Sequence, residues 1–90
     1  MEFEWDEKKA TANEKKHDVS FHEAATIFSD LLAITFPDPD HSEKEHRNLT
    51  FGMSRSNRLL IVAHTDRGYN IRIISARLMT RQERKIYEEG

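Results

Sequence analysis

The stretch from residue 57 to residue 77 (NRLLIVAHTDRGYNIRIISAR) constrains the fold more than any other part of the chain. It contains two apolar runs, residues 59–63 and 71–76, and only Arg72 interrupts the second. The Asp-Arg-Gly segment at 66–68 is typical of a three-residue hairpin loop, because glycine adopts the left-handed conformation that such a loop needs. We therefore predict two antiparallel strands, the first buried on both faces.

A loop at 66–68 decides which residues of this hairpin share a face, because side chains alternate across a strand. One predicted face is almost purely apolar, with the pairs Thr65–Tyr69, Ala63–Ile71, Ile61–Ile73 and Leu59–Ser75. The other predicted face is polar above an apolar base, with the pairs His64–Asn70, Val62–Arg72 and Leu60–Ile74. A slip of one residue would exchange these faces.

Length and composition exclude several classes of protein. Ninety residues suit one domain spanning 1–90, and such a chain buries only about 60–65% of its unfolded surface. The chain has no cysteine, hence no disulfides, thiolate metal sites or cysteine nucleophile. No apolar run approaches the ~18 residues of a membrane span, and the charged first residues lack the apolar segment of a signal peptide. We expect a cytoplasmic protein without membrane contacts.

Charge is distributed unevenly along the chain. Residues 1–50 contain six Lys/Arg and twelve Asp/Glu, whereas residues 51–90 contain eight and four, and seven of those eight are arginine. This asymmetry indicates one surface that can meet phosphate and another that repels it. A merely solvated C-terminal helix would give the same composition, so both interpretations stay open.

Capping signals predict the helices. Asp6 can cap a helix that ends near Lys16. Ser20 and Glu23 form a capping box before an amphipathic helix that ends near Asp30. A second capping box, Thr80 with Glu83, opens a helix that runs to about residue 89.

Alternating residues predict strands at 2–5 and 47–54, and a short β-prone run predicts another at 33–36. The last of these pairs with the first hairpin strand through a loop at 55–57, which puts Asn48 opposite His64. The predicted order is β-α-α-β-β-β-β-α. This is an α+β fold in which an antiparallel sheet carries two N-terminal helices on its apolar face and is followed by a C-terminal helix.

The predicted register gathers polar residues on the face away from the helices. One row contains Asn48, His64 and Asn70, and the next contains Thr50, Val62 and Arg72. A histidine flanked by amides and an arginine is suited to acid–base chemistry and phosphate binding. Polar rows on a solvent-facing sheet surface are also ordinary, so the residues alone support both interpretations.

The acidic segment at 38–46 also contains possible metal ligands, which are His41, His46, Asp38, Asp40, Glu43 and Glu45. Their spacing matches no known ligand pattern, and the prolines and charges suit a solvated loop. We therefore expect no bound metal and no cofactor.

Several segments, spaced in order along nearly the whole chain, resemble the BrnT-type toxins. They are Phe3-Glu4-Trp5-Asp6, Asn13-Glu14-Lys15-Lys16-His17-Asp18-Val19-Ser20-Phe21, Glu23-Ala24 with Phe28, Ile71 to Arg77, and Thr80 to Tyr87. The chain departs from the family at Asp18, where glycine is usual. The left-handed conformation at a helix end costs more free energy for aspartate than for glycine, although aspartate tolerates it better than most residues.

The resemblance implies a RelE-like fold and a ribonuclease toxin of a type II toxin–antitoxin pair that arrests translation. It implies a BrnA-like antitoxin carrying a ribbon-helix-helix DNA-binding segment, and contact with operator DNA only through that complex. The implied reaction is metal-independent attack of an RNA 2′-OH on the adjacent phosphorus. Such a reaction needs a base, an acid and cations that stabilise the phosphorane.

On this resemblance, His64 is predicted to act as acid or base, and Arg72 and Arg77 to stabilise phosphate. Strict alternation puts Arg77 on the apolar face, so it can serve only if its strand ends or bends near Ser75. The predicted RNA contacts are Arg47, Asn48, Arg58, Arg67 and Asn70. Two alternatives remain, a non-catalytic module that binds an antitoxin or nucleic acid, and a small metal-dependent hydrolase that uses the acidic histidine loop.

Overall fold

The computed structural model describes residues 1–38 and 46–90, which form a five-stranded sheet with helices packed on it. The elements in chain order are β1 (Glu2–Glu4), α1 (Glu7–His17), α2 (Phe21–Ala25), a 3₁₀ helix (Thr26–Ser29), β2 (Ile34–Pro37), β3 (Arg47–Met53), β4 (Leu59–Arg67), β5 (Asn70–Leu78) and α3 (Arg81–Glu89). The predicted α+β class and element order are confirmed. Most of the predicted acidic loop, residues 39–45, lies outside the described residues.

The strand order is β1-β5-β4-β3-β2, so β4 is central and is buried on both faces, as predicted. Strands β2 to β5 pair in antiparallel fashion, whereas β1 runs parallel to β5. The antiparallel prediction therefore holds for four of the five strands. None of the described helices is long and apolar enough to cross a membrane.

The predicted caps form at all three helix starts. The carboxylate of Asp6 accepts two backbone N–H groups in the first turn of α1. The hydroxyl of Ser20 accepts the N–H of Glu23 at 3.0 Å, but the carboxylate of Glu23 binds Arg58 and Ser54, so the second half of this predicted capping box does not form. Thr80 and Glu83 cap each other's backbone N–H groups at the start of α3. Each cap satisfies donors that a helix start otherwise leaves without partners.

Asn13 attaches α1 to the sheet. Its buried side chain donates from Nδ2 to the carbonyls of Val19 and Ala76, at 3.0 and 2.9 Å, and accepts the N–H of Ala76 at 3.1 Å. The helix ends at Asp18, which has φ 58° and ψ 36°. This left-handed conformation is the one expected at a position where the BrnT-type toxins, which the sequence resembles, usually have glycine.

The register between β3 and β4 is confirmed, with Asn48 opposite His64. The predicted register between β4 and β5 is wrong. The observed pairs are Arg67–Asn70, Asp66–Ile71, Thr65–Arg72, His64–Ile73, Ala63–Ser75, Val62–Ala76, Ile61–Arg77 and Leu60–Leu78. The turn contains residues 68–69 rather than 66–68. Gly68, at φ 63°, supplies the positive φ that loops of either length require.

The N-terminal helices cover the face of β4 opposite to the predicted one. Helices α1 and α2 and the 3₁₀ helix pack on the even-numbered side chains of β4, here called the covered face. Its core contains Val19, Phe21, Ala24, Ile27, Leu60, Val62, Ile73 and Ala76. The prediction placed these helices on the odd-numbered side chains of β4, and this placement is wrong.

The opposite face, here called the arginine face, carries Arg47, Arg67, Arg72 and Arg77 together with the odd-numbered residues of β4. Helix α3 covers one end of it, where Tyr87 packs in a cluster with Phe51, Ile61 and Met79. The other end of this face, around Arg47 and Arg72, carries the polar residues described next.

Candidate functional site

A row of four residues crosses the arginine face from β3 to β1. Arg47 pairs with Thr65, Thr65 pairs with Arg72, and Arg72 pairs with Glu4. Paired residues point to the same side of a sheet, so two guanidinium groups and a carboxylate share this side. Glu4 accepts hydrogen bonds from Arg72 Nη1 at 3.0 Å and from Asn70 Nδ2 at 3.2 Å.

A β-bulge brings Arg77 to the same face as Arg72. The extra residue is Ile74, which has no partner in β4. Without it, two residues five apart in the sequence would point to opposite faces. Arg77 was expected to take part in the site only if its strand ends or bends near Ser75, and the bulge at Ile74 supplies this irregularity. The Arg77 guanidinium donates two hydrogen bonds, at 2.7 and 2.8 Å, to the carboxylate of Glu83.

These arginine–carboxylate contacts favour the charged forms of both partners. Hydrogen bonds from Arg77 are the main reason why the pKa of Glu83 falls to about 2, and the pKa of Arg77 rises in turn. The pKa of Glu4 is lowered first by the hydrogen bond from Asn70 and then by Arg72. At neutral pH the face therefore contains fixed charges of both signs.

Arg47 and Arg67, two of the predicted RNA contacts, extend the positive charge along this face. Arg67 pairs with Asn70, one row closer to the hairpin tip, and is exposed. Arg47 is half-buried and makes no ion pair with another described residue. Of the eight predicted site residues, the arginine face therefore brings together five, which are Arg47, Arg67, Asn70, Arg72 and Arg77.

His64 lies on the covered face, where it is only 4% exposed. Its Nε2 is 2.7 Å from the hydroxyl of Thr50, which in turn is 2.8 Å from that of Thr35. Its ring contacts Phe28 edge-on, with 4.9 Å between centroids, and Nδ1 has no hydrogen-bond partner among the described residues. Burial lowers the pKa of His64. The predicted accessible position beside Asn70 is wrong, because the register differs and helices cover this face.

The other two predicted contacts, Asn48 and Arg58, also belong to the covered side. Asn48 pairs with His64. The Arg58 guanidinium binds both carboxylate oxygens of Glu23 in α2, with Nε at 2.9 Å, and donates to the carbonyl of Asp18 at 2.8 Å. The hydrogen bond to Glu23 raises the pKa of Arg58. Arg58 thus links the β3–β4 turn to α2.

Two acidic residues of this site, Glu4 and Glu83, are absent from the set predicted from sequence. Glu83 is recognisable only as half of a capping box. Glu4 alternates with Phe3 and Trp5, which indicates that it points away from the apolar side of β1. Its contact with Arg72 depends on the parallel pairing of β1 with β5, which no local signal in the sequence reveals.

Possible metal ligands are dispersed over the described structure. No group of three or more histidine or acidic side chains within residues 1–38 and 46–90 is placed to hold a metal ion. The candidate metal cluster considered from sequence falls largely on residues 39–45, outside that part.

Comparison with known proteins gives a family match and a similar solved structure. The model of the family described as "Ribonuclease toxin, BrnT, of type II toxin-antitoxin system" matches residues 5–83. The fold is similar to the crystal structure of the Brucella abortus ribonuclease toxin BrnT, with a TM-score of 0.70 and 24% identity over 90% of this chain and 99% of that one. No curated protein matches the chain. Because the family model spans most of its length, the chain belongs to the BrnT family of ribonuclease toxins of type II toxin–antitoxin systems.

Proposed function

We propose that this chain is an endoribonuclease that cleaves RNA without a metal ion. In the proposed reaction a ribose 2′-OH attacks the adjacent phosphorus and the P–O5′ bond breaks, which leaves a 2′,3′-cyclic phosphate and a 5′-OH. The observation that carries the proposal is the set of four arginines on one face of the sheet, where Arg72 and Arg77 each contact a carboxylate. Guanidinium groups match the planar, bidentate geometry of phosphate oxygens.

Arg72 and Arg77 have the role of stabilising the phosphorane, whose negative charge exceeds that of the ground state. Only interactions that strengthen in the transition state accelerate the chemical step. A guanidinium has five N–H donors. Arg72 uses one of them on Glu4, whereas Arg77 binds Glu83 through two nitrogens. Arg72 therefore has more donors left for phosphate, and we assign it the larger share of the stabilisation.

Arg47, Arg67 and Asn70 have the role of binding the phosphates on either side of the cleaved one. They lie in the two rows next to the hairpin tip, on the same face as Arg72. Their contribution is to hold the RNA, so it should depend on salt concentration. His64 is given no step, because a side chain buried under helices cannot contact RNA on the opposite face.

We further propose that the chain acts as one toxin domain in the cytoplasm, where RNA cleavage arrests translation. A BrnA-like antitoxin with a ribbon-helix-helix segment neutralises it, and operator DNA is bound only through that complex. The support is membership of a family of type II toxins, which implies an antitoxin partner. Expression of this chain alone should stop growth, and coexpression of the antitoxin should restore it.

The test is incubation of antitoxin-free protein with RNA in excess EDTA, followed by analysis of the RNA ends. We expect cleavage that chelation does not affect, and fragments that end in 2′,3′-cyclic phosphate and 5′-OH. The variant Arg72→Ala, purified in parallel, controls for contaminating ribonuclease. Cleavage that is lost in EDTA and restored by a divalent cation would overturn the metal-free mechanism. RNA binding without cleavage would support the binding module instead.

A further inference from the structure

Within residues 1–38 and 46–90, no strand places a histidine on the arginine face that could serve as an acid–base group. His64 is the one histidine within a described strand, and it points to the covered face. Among the described residues, the carboxylates near the arginines are those of Glu4 and Glu2 on β1, that of Glu83 on α3 and that of the buried Asp38, whose backbone pairs with Arg47. A reaction at this face that needs a base therefore has a small number of candidates.

We infer that Glu4 is the general base of the proposed cleavage and accepts the proton of the 2′-OH. This inference rests on the function proposed above. In the step, a Glu4 carboxylate oxygen takes the proton while the O2′ electron pair forms the bond to phosphorus. The P–O5′ bond then breaks, and a water molecule protonates O5′. The resulting hydroxide is neutralised by the proton that Glu4 releases, so the enzyme returns to its starting state.

The contacts of Glu4 leave it able to act as a base. A carboxylate offers about four lone-pair positions. Glu4 uses one oxygen for Asn70 and the other for Arg72, and its side chain is 33% exposed. Each oxygen can therefore accept a further hydrogen bond from a substrate hydroxyl.

Glu83 is the weaker candidate, because its contacts already occupy its carboxylate. Oε1 accepts from Arg77 and from the backbone N–H of Thr80, and Oε2 accepts from Arg77 again. With a pKa of about 2, Glu83 has little affinity for a proton. Its contacts fix the start of α3 and the position of Arg77, which is a structural role.

The position of Glu4 relative to Arg72 suits the geometry of the reaction. The 2′-OH and the 3′-phosphate of a nucleotide sit on neighbouring ribose carbons. A phosphate bound by Arg72 therefore brings its 2′-OH towards the carboxylate that lies 3.0 Å from Nη1 of the same arginine. Holding base and nucleophile together in this way removes much of the entropic cost of the encounter.

The groups around Glu4 determine its protonation state in the free protein. Asn70, Arg72 and the more distant Arg67 lower its pKa, so it is ionised at neutral pH. Glu2, two residues along the same strand, is the nearest like charge on β1. The cleavage rate of the wild type should therefore fall with acid only below the ordinary carboxylate pKa of about 4.5.

The test compares Glu4→Gln with Glu2→Gln, a matched control on the same strand and face. We expect Glu4→Gln to lower the rate of EDTA-resistant RNA cleavage by roughly 10²–10⁴-fold. RNA affinity should stay within about threefold or increase, since a negative charge near phosphate is removed. The residual rate should rise about tenfold per pH unit, as expected when hydroxide replaces the missing base. Glu2→Gln should stay within about threefold of the wild type.

The variant Glu4→Asp covers the case in which Glu4→Gln fails to fold. Aspartate keeps the carboxylate on a shorter side chain, so we expect a partial loss of the cleavage rate. The rate should still fall with acid as it does in the wild type. The assignment of Glu4 would be overturned if folded Glu4→Gln cleaved RNA at a rate within threefold of the wild type, with an unchanged pH profile. That result would leave the proposed function intact. Absence of cleavage by the wild type itself would overturn both.

Discussion

Thr65 and Arg72 face each other across β4 and β5, and this pairing decides which face of the sheet carries the arginines. The pairing of Arg72 with Val62 predicted from sequence would have pointed the guanidinium at the apolar layer under α1 and α2. A buried charge without a partner is strongly destabilising. The observed pairing places Arg72 beside Glu4 instead, on the same side as Arg77.

Replacing Arg72 should abolish most of the activity and leave the fold intact. We expect Arg72→Ala to lower RNA cleavage by about 10²–10³-fold, as for loss of one donor to a developing anion. Its ion pair with Glu4 is partly exposed, so the free energy of unfolding should change by less than about 1 kcal/mol. Arg72→Lys should recover only part of the rate, because an ammonium lacks the planar fork.

The matched control for Arg72 is Arg55→Ala, an exposed arginine in the turn between β3 and β4. Cleavage rates with defined RNA and urea unfolding of all three variants provide the measurements. Unfolding of Arg72→Ala, or equal cleavage losses at Arg55 and Arg72, would contradict a specific role on the arginine face.

Replacing His64 should change stability rather than chemistry. His64→Ala removes the hydrogen bond to Thr50 and the ring contact with Phe28, and leaves a cavity under the helices. We expect the free energy of unfolding to fall by roughly 2–4 kcal/mol. Cleavage per folded molecule should stay within about threefold. The exposed His46→Ala is the control, and a hundredfold loss of cleavage at unchanged stability would return His64 to the mechanism.

The burial of His64 also predicts a pH dependence of stability. Because its pKa is lower in the folded chain than in the unfolded chain, the unfolded state binds more protons below about pH 6.5. Stability should therefore fall as pH decreases from about 7.5 to 5.5, by at most about 1.4 kcal/mol per pH unit. Phe28 and Thr50 pack against the ring without charge, and Asp66 opposes the shift only partly.

Urea unfolding of the wild type and of His64→Gln at pH 7.5 and 5.5 measures this contribution. The two proteins differ only at position 64, so the contributions of all other groups cancel in the comparison. The glutamine variant should lose less stability on acidification. Equal losses in the two proteins would show that His64 is not the group responsible.

The parts of the fold that were predictable from sequence depend on local signals. Each helix start is predicted by a capping residue and the residues that follow it. The capping residues are Asp6, Ser20 and Thr80, and all three cap their helices. The three-residue loop at 55–57 fixes the register between β3 and β4, because Asn57 adopts the positive φ that the turn needs. Local chemistry alone decides these features.

The parts that were not predictable depend on long-range pairing or on a single residue. Gly68 suits loops of two or three residues equally, yet the choice moves the side chains of residues 70–73, before the bulge, to the other face. The bulge at Ile74 has no local signature, although it decides where Arg77 points. The parallel pairing that joins Glu4 to Arg72 links two ends of the chain. The arginines of the candidate site were therefore among the residues predicted from sequence, whereas the carboxylate of Glu4 was not.

Asn13 should be one of the most sensitive positions for stability. Asn13→Ala removes three hydrogen bonds between α1 and the rest of the fold and leaves the backbone of Ala76 without partners. We expect a loss of roughly 2–4 kcal/mol in the free energy of unfolding. Asn13→Asp should cost at least as much at pH 7, because it turns a carboxylate oxygen towards two carbonyls.

Urea unfolding measures these losses, with Glu14→Ala, exposed on the same helix, as the control. A change below 0.5 kcal/mol, of the order seen for surface substitutions, at Asn13→Ala would contradict the role of this side chain in attaching α1.

Glu83 should stabilise the fold through its charge. Glu83→Gln can keep the capping box, since glutamine is equally suited to that position, but it loses the ion pair with Arg77. We expect the free energy of unfolding at pH 7 to fall by about 1–2 kcal/mol. The pKa of Glu83 is about 2 in the folded chain, so its contribution is complete above about pH 4.5 and disappears as pH falls towards 2.

The stability difference between the wild type and Glu83→Gln should therefore narrow between pH 7 and pH 3 in urea unfolding experiments. Glu88→Gln, exposed on the same helix, controls for the loss of one negative charge from α3. A double-mutant cycle with Arg77→Ala isolates the pair, because the glutamine substitution should cost little once the arginine is absent. A difference at pH 3 as large as that at pH 7, or one that is unchanged in the Arg77→Ala background, would mean that Glu83 acts through its shape and not through its charge.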